Sequence, residues 1–203
     1  MKKLMKATFV LTLGTFSLGL VAQQVQPAPM EPNKKPATIQ QRKENQQQRI
    51  GEGVENGSLT SKEASRLEHK EAALNAEQKR MKADGTLSPA ERARLQRQQS
   101  TLSKNIYRQK HDAQVQNTNP KTEIGQRQRE QQKRIGEGIE NGSLNAREAG
   151  RLEHQETRLN RELRHDRRDG GGMTNAERAK INHQQNRESK RIYRQKHDAQ
   201  VRK

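Results

Sequence analysis

The sequence predicts an all-α protein built from two tandem three-helix modules with short Asn-Gly and Asp-Gly turns. The first observation behind this prediction is an internal duplication: residues 41–116 align with residues 126–202 and are identical at more than half of the positions. Both copies end in the same ten residues, IYRQKHDAQV, at Ile106–Val115 and Ile192–Val201. A period this long indicates a duplicated domain rather than a solenoid of short repeats.

The helical spacing of apolar residues is the second observation. Apolar side chains recur at intervals that place them on one face of an α-helix. The clearest stripes are Ala64, Leu67, Leu74 and Met81, then Leu95, Leu102 and Ile106, then Leu152, Leu159 and Leu163. The alternation of β-branched residues that is typical of strands does not occur. Because the stripes are narrow, we expect a small bundle with a thin core.

Turn residues divide each copy into three helices. The predicted helices lie near residues 40–54, 61–83 and 89–113 in the first copy and near 126–139, 146–168 and 175–200 in the second. The first helix of each copy is expected to end in a glycine-rich stretch, which contains Gly51, Gly53 and Gly57 in the first copy. Asn-Gly and Asp-Gly dipeptides tolerate positive φ and favour turns.

The second and third helices of each copy begin at capping boxes. In a capping box, a Ser or Thr and a Glu three residues later satisfy N–H groups that have no partner within the helix. The pairs are Thr60 with Glu63, Ser88 with Glu91 and Thr174 with Glu177, and Asn145 with Glu148 is a weaker fourth pair. Pro89 also occupies the favoured first helical position.

The N-terminal residues have the pattern of a secretory signal peptide. Three lysines, Lys2, Lys3 and Lys6, precede an apolar run that is too short to span a membrane. We therefore expect export to the periplasm or secretion. The predicted organisation is a signal peptide at 1–22, a flexible leader at 23–40, a first helical repeat at 41–116, a linker at 117–125 and a second helical repeat at 126–203.

The chain is strongly basic and poor in apolar residues. Its formal net charge is +17, 27% of its residues are hydrophobic and 2% are aromatic. Such a surface is soluble and attracts polyanions. The sequence contains no cysteine and none of the common catalytic motifs, so we expect a protein that is not an enzyme.

The turn regions carry part of a calcium-loop pattern. In Asp84–Glu91, an Asp and a Gly are followed by an apolar residue two positions later and by a closing Glu, and Asn56–Glu63 follows the same pattern. Two such helix-loop-helix units with a shared central helix resemble a degenerate EF-hand pair of an exported bacterial protein. In the Asp84 loop, Arg80 and Lys82 occupy ligand positions, where their charges repel a dication.

The resemblance implies an alternative function, divalent-metal binding through the Asn-Gly loops. Its ligands would be Glu52, Asn56 and Glu63, repeated at Glu137, Asn141 and Glu148. A simpler interpretation is that these residues serve turn geometry and helix capping. Histidines beside carboxylates, as in Glu68-His69 and His111-Asp112, offer a weak surface site for a transition metal. No tightly bound cofactor is expected.

The repeated decapeptide predicts a partner-binding surface. The residues concerned are Tyr107, Arg108 and Lys110 in the first copy and Tyr193, Arg194 and Lys196 in the second. Tyrosine and arginine are favoured anchors in interfaces, whereas Ile106 and Ile192 are expected to pack inside. The predicted function is therefore binding or scaffolding, with an acidic polymer, an anionic lipid surface or an acidic protein as the partner. Extracellular nucleic acid, stacked on the tyrosines, is a second alternative.

Overall fold

The computed structural model describes residues 37–116, 118–119, 121–168 and 172–200, and the regular structure in these residues is entirely α-helical. The helices are α1 (Ile39–Glu55), α2 (Ser61–Met81), α3 (Pro89–Lys110), α4 (Glu123–Asn141), α5 (Ala146–Asp166) and α6 (Asn175–Lys196). The all-α prediction is confirmed. The predicted signal peptide and all of the predicted leader up to residue 36 lie outside the described residues.

Local capping explains where the helices begin. Both directions of the capping box form at Thr60 with Glu63, Ser88 with Glu91, Thr174 with Glu177 and Asn145 with Glu148. The Asn145 pair is as complete as the others. Thr122 caps α4 by accepting a hydrogen bond from the Gly125 N–H at 3.1 Å, so this helix begins inside the stretch that was predicted to be a linker, 117–125.

The closest helix pairs join the two copies. Helix α1 packs mainly along α4, and α2 packs mainly along α5, while α3 covers α1 and α2 and α6 covers α4 and α5. The main apolar cluster mixes residues from both copies, such as Ile50 and Leu67 with Ile135 and Leu152. The described helices form one compact unit. The copies thus share a core and do not form two separately packed modules.

Helices α1 and α4 approach each other closely at two equivalent glycines. A Cβ added to Gly51 would lie 2.8 Å from the Gly136 carbonyl oxygen, and a Cβ added to Gly136 would lie 2.8 Å from the Gly51 carbonyl oxygen. This reciprocity is the property of an isologous interface, in which two like surfaces meet around a two-fold axis. The duplicated chain therefore packs its copies as a symmetric dimer packs its subunits.

This crossing corrects the interpretation of the glycine-rich stretch. Gly51 and Gly53 do not end the first helix, because α1 continues to Glu55 and both glycines are buried inside it. Gly53 leaves room for the Leu59 side chain, which folds back against the helix. Gly57 lies in the turn, with a φ of 76° that favours glycine.

Buried glutamines connect the helices within each copy. The Gln46 amide of α1 donates to the Gln99 carbonyl at 2.7 Å and to the Ser103 hydroxyl at 2.8 Å. In the second copy, Gln131 repeats both bonds with Gln185 and Ser189. The nitrogen of each amide thus has two partners, whereas Oε1 of Gln46 and of Gln131 has none among the described residues, so the interior holds both satisfied and unsatisfied polar atoms beside the thin apolar core.

We predict that Gly51→Ala destabilises the protein although alanine is the better helix former. The new methyl group would press against the Gly136 backbone and the Glu140 side chain, and overpacking of this kind costs about 1–3 kcal/mol. Urea unfolding would measure the free energy of unfolding. Gly136→Ala should give a similar loss because the contact is reciprocal.

The control for helix propensity is Ser100→Ala on the exposed face of α3. It should leave the free energy of unfolding unchanged or slightly higher. If Gly51→Ala proved as stable as Ser100→Ala, the close approach of α1 and α4 would not limit the fold.

Candidate functional site

The tyrosines of the repeated decapeptide are exposed in both copies. Tyr107 and Tyr193 are each 62% exposed, near the C-terminal ends of α3 and α6. Each ring stacks on a histidine one turn later, with a centroid separation of 4.2 Å to His111 and to His197. The stacks hold two large rings at the surface in the same local geometry.

The basic residues beside these rings separate into two groups. Arg108 and Arg194 are exposed next to the tyrosines. The ammonium of Lys110 lies instead 3.3 Å from a Glu52 carboxylate oxygen, and Lys196 lies 3.4 Å from Glu137. The predicted surface therefore contains Tyr and Arg in each copy, while its lysine is engaged with the first helix of the same copy.

The isoleucines that precede the tyrosines are buried. Ile106 and Ile192 are both 0% exposed and belong to the main apolar cluster. The prediction that these two residues pack inside is confirmed, and their burial fixes the orientation of the adjacent tyrosines.

The candidate metal ligands of the Asn-Gly loops bond within their own turns. The Asn56 side-chain oxygen accepts from the Ser58 N–H at 2.9 Å, and Asn141 accepts in the same way from Ser143. The Glu63 carboxylate accepts from the Thr60 N–H and hydroxyl. Glu148 likewise accepts from the Asn145 N–H at 3.0 Å.

Glu52 and Glu137, the remaining candidate ligands, each lie near Glu140 of α4. Burial raises the pKa of Glu140, and the neighbouring charges of Glu55, Glu52 and Glu137 raise it further. Among the described residues, no three His, Asp or Glu side chains are grouped so that they could hold a metal ion. Metal binding through the Asn-Gly loops therefore stays a prediction, which calorimetric titration with Ca²⁺ would test.

The sequence analysis did not single out a group of buried carboxyls in the second copy. Glu153 and Glu156 of α5 are 0% exposed, and Glu188 of α6 is 5% exposed. One Glu153 oxygen accepts from the Gln132 amide at 3.3 Å. Neither oxygen of Glu156 has a hydrogen-bond partner among the described residues, which is costly for a buried charge.

Burial raises the pKa values of all three carboxyls. It raises the pKa of Glu153 to about 8, opposed by the Gln132 amide and the Ser61 hydroxyl and reinforced by Glu188. It raises the pKa of Glu156 well above its ordinary value, with the charges of Glu153 and Glu188 adding and Arg134 opposing. It raises the pKa of Glu188 to about 7, with the nearby Arg191 opposing.

Two of the three carboxyls, Glu153 and Glu156, align with Glu68 and Glu71 of the first copy, which are also buried, whereas the third position differs between the copies. Glu188 aligns with Leu102, a core residue of the first copy that is 2% exposed. The spacing that makes Leu102 a core residue therefore places a carboxyl inside the second copy. This difference is visible in the sequence, and it could have identified Glu188 as buried.

No family model, no curated protein and no solved structure matches the chain. Within the described part of the chain, the helices are too polar or too short to cross a membrane.

We predict that the free energy of unfolding falls as the pH rises from about 5 to about 8. The folded protein keeps protons on Glu153 and Glu188 up to their raised pKa values of about 8 and about 7. The unfolded chain releases them near the ordinary value of 4.5. Between these limits the folded state binds more protons than the unfolded chain does, so raising the pH favours unfolding. Urea unfolding across this pH range measures the slope.

The variant Glu188→Leu gives the second copy the leucine that the first copy has at the equivalent position, Leu102. It should raise the free energy of unfolding at pH 8 by about 2 kcal/mol and flatten its pH dependence, because a buried charge is replaced by an apolar side chain. The reciprocal variant Leu102→Glu should steepen the dependence. An unchanged slope in Glu188→Leu would contradict the role of this carboxyl.

Proposed function

We propose that the chain is an exported, non-enzymatic binding or scaffolding protein that contacts acidic envelope components or acidic proteins through basic helical surfaces. The observation that carries this proposal is the pair of exposed Tyr–His stacks, each next to an exposed arginine and repeated in both copies. The proposed location is the periplasm or the cell exterior, which the pattern of residues 1–22 supports.

Exposed tyrosines beside arginines suit an acidic partner. A tyrosine ring offers apolar area with a polar tip, and it loses little conformational freedom when it is ordered. The stack on His111 already limits the motion of Tyr107. The guanidinium of Arg108 can bind a carboxylate or phosphate through two parallel hydrogen bonds. One ring and one guanidinium together can therefore bind both the apolar and the anionic parts of a partner.

The charge of the whole chain supports the same class of partner. The chain has a formal net charge of +17, of which +14 remains once residues 1–22, with Lys2, Lys3 and Lys6, are removed. The exported protein therefore attracts polyanions over a range of about 8–10 Å at physiological ionic strength. The attraction is weakened by salt, whereas ring contacts are not. Salt dependence therefore separates general attraction from contacts made by the tyrosines.

Nucleic-acid stacking on the tyrosines is the alternative that uses the same residues. Single strands bind proteins through aromatic rings and a basic surface. An exported protein would meet only extracellular nucleic acid, which makes an acidic envelope component the better-supported partner. The two are distinguished by including a single-stranded oligonucleotide in the binding experiment.

We predict that Tyr107→Ala with Tyr193→Ala weakens binding to phosphatidylglycerol vesicles by about tenfold at about 0.15 M salt. The rings lie outside the core, so helix content should stay the same. Arg108→Ala with Arg194→Ala should cost about 1 kcal/mol per arginine at such a surface. Vesicle co-sedimentation measures the affinity, and circular dichroism measures the helix content.

The control is Gln96→Ala, which removes most of an exposed side chain from α3 away from the Tyr–His stack and should leave binding unchanged. Phosphatidylcholine vesicles should not bind. If the double tyrosine variant lost helix content but kept its affinity, the rings would be structural and this proposal would be wrong. If the oligonucleotide bound more tightly than every acidic envelope component, the alternative would replace it.

A further inference from the structure

A basic groove runs between α2 and α5, away from the exposed tyrosines. It consists of two adjoining clefts of about 400 and about 300 Å³, which share Lys62, Thr157 and Arg161 as lining residues. Six cationic side chains line it: Lys62, Arg66, Arg158, Arg161, Arg164 and Arg167. Among the described residues that line the two clefts, none is a carboxylate.

The six cations of the groove are available to a ligand. All six side chains are exposed. None of them forms an ion pair with a described residue, whereas Lys110, Lys196 and Arg191 of the same bundle do. Like charges held along one groove repel each other, and an anionic ligand removes that repulsion as it binds.

Two of the four groove cations on the side of the second copy have uncharged equivalents in the first copy. Arg158 and Arg161 align with Ala73 and Ala76 on α2. Helix formation does not require arginine at these positions, since alanine is the better helix former. The two arginines make α5 more basic than its equivalent in the first copy, on the side where α5 faces α2.

The dimensions of the groove favour a linear chain over a single small anion. From His154 to Arg167, the α5 axis runs about 20 Å at 1.5 Å per residue. The groove is concave, so a flat lipid surface cannot reach its floor. Guanidinium groups distributed over this length can bind successive carboxylate or sulfate groups.

The uncharged lining residues favour a sugar polymer. Among the described residues that line the two clefts, His154 has the only ring, so the groove offers little of the base stacking on which single-stranded nucleic acid depends. Hydroxyl and amide side chains lie between the cations, among them Thr157, Asn160 and Gln116. Such groups suit the hydroxyls of a polysaccharide. The two apolar residues of the lining, Val115 and Leu163, are too few for the apolar centre that a protein partner usually buries in its interface.

We propose that the groove between α2 and α5 binds a segment of an acidic polysaccharide through Lys62, Arg66, Arg158, Arg161, Arg164 and Arg167. This inference rests on the proposed function only for the acidic character of the partner, because it assigns a different surface. The uronate carboxylates or sulfate esters of the polymer contact the guanidinium groups, and its hydroxyls contact the side chains between them.

The test is calorimetric titration of the mature protein with an oligogalacturonate, a uronate polymer, at about 0.15 M salt. Arg158→Ala with Arg161→Ala restores the residues of the first copy, and we expect it to weaken binding by about tenfold or more. Arg178→Ala with Lys190→Ala is the matched control, because it removes two exposed charges from α6. The control should bind as the unmodified protein does, and both variants should keep their helix content.

Three results would overturn the assignment: no binding of the oligogalacturonate by the unmodified protein, an equal loss in both variants, or tighter groove-dependent binding of single-stranded DNA or phosphatidylglycerol vesicles. The variant Tyr107→Ala with Tyr193→Ala separates this inference from the proposed function. If this variant binds the oligogalacturonate normally and also retains its affinity for vesicles, the proposed role of the tyrosines is wrong and the assignment of the groove is unaffected. If this variant loses vesicle binding while Arg158→Ala with Arg161→Ala leaves oligogalacturonate binding unchanged, only the assignment of the groove is wrong.

Discussion

The close approach of α1 and α4 at Gly51 and Gly136 is the constraint on which the rest of the fold depends. Each copy has few large apolar residues, and a core of this size gives a small domain little stability by itself. The glycines let the two backbones meet, so that Ile50 and Ile135 enter one shared cluster. The pairing of α2 with α5 follows from this crossing, because a short turn connects α2 to α1 and another connects α5 to α4. The groove between them exists because the two copies pack together.

A polar interior accompanies this shared core. Gln46 and Gln131 connect the first helix of each copy to the third through equivalent hydrogen bonds. The nitrogens of these buried amides have partners in this arrangement, and a wrong helix register would leave them unsatisfied. These bonds therefore specify how the helices align, which a thin apolar stripe alone does poorly. The buried carboxyls are different, because Glu156 lacks such partners and depends on protonation to remain inside at low cost.

The features that the sequence could predict are local, and those it could not predict depend on distant contacts. The capping boxes at Thr60 and Ser88 involve residues three apart, so the starts of α2 and α3 could be predicted to the residue. Gly51 has the same local properties whether it ends a helix or lies at a crossing, and only its contact with Gly136 decides between them. Lys110 likewise looked available beside Tyr107 until the fold brought Glu52 next to it.

The differences between the copies support the location proposed for the groove, whereas the proposed tyrosine surface is the same in both copies. Positions that are the same in both, such as Gly51 with Gly136 and Gln46 with Gln131, form the helix crossing and the interior bonds. Such positions keep the symmetric arrangement, which a substitution in either copy alone would disturb. Arg158 and Arg161 are exposed on α5, at the positions that Ala73 and Ala76 occupy on α2. A duplicated chain can thus preserve its fold through the equivalent residues of both copies while one copy changes its charge, and this is why we assign the polymer-binding groove to the face of α5 that differs from α2.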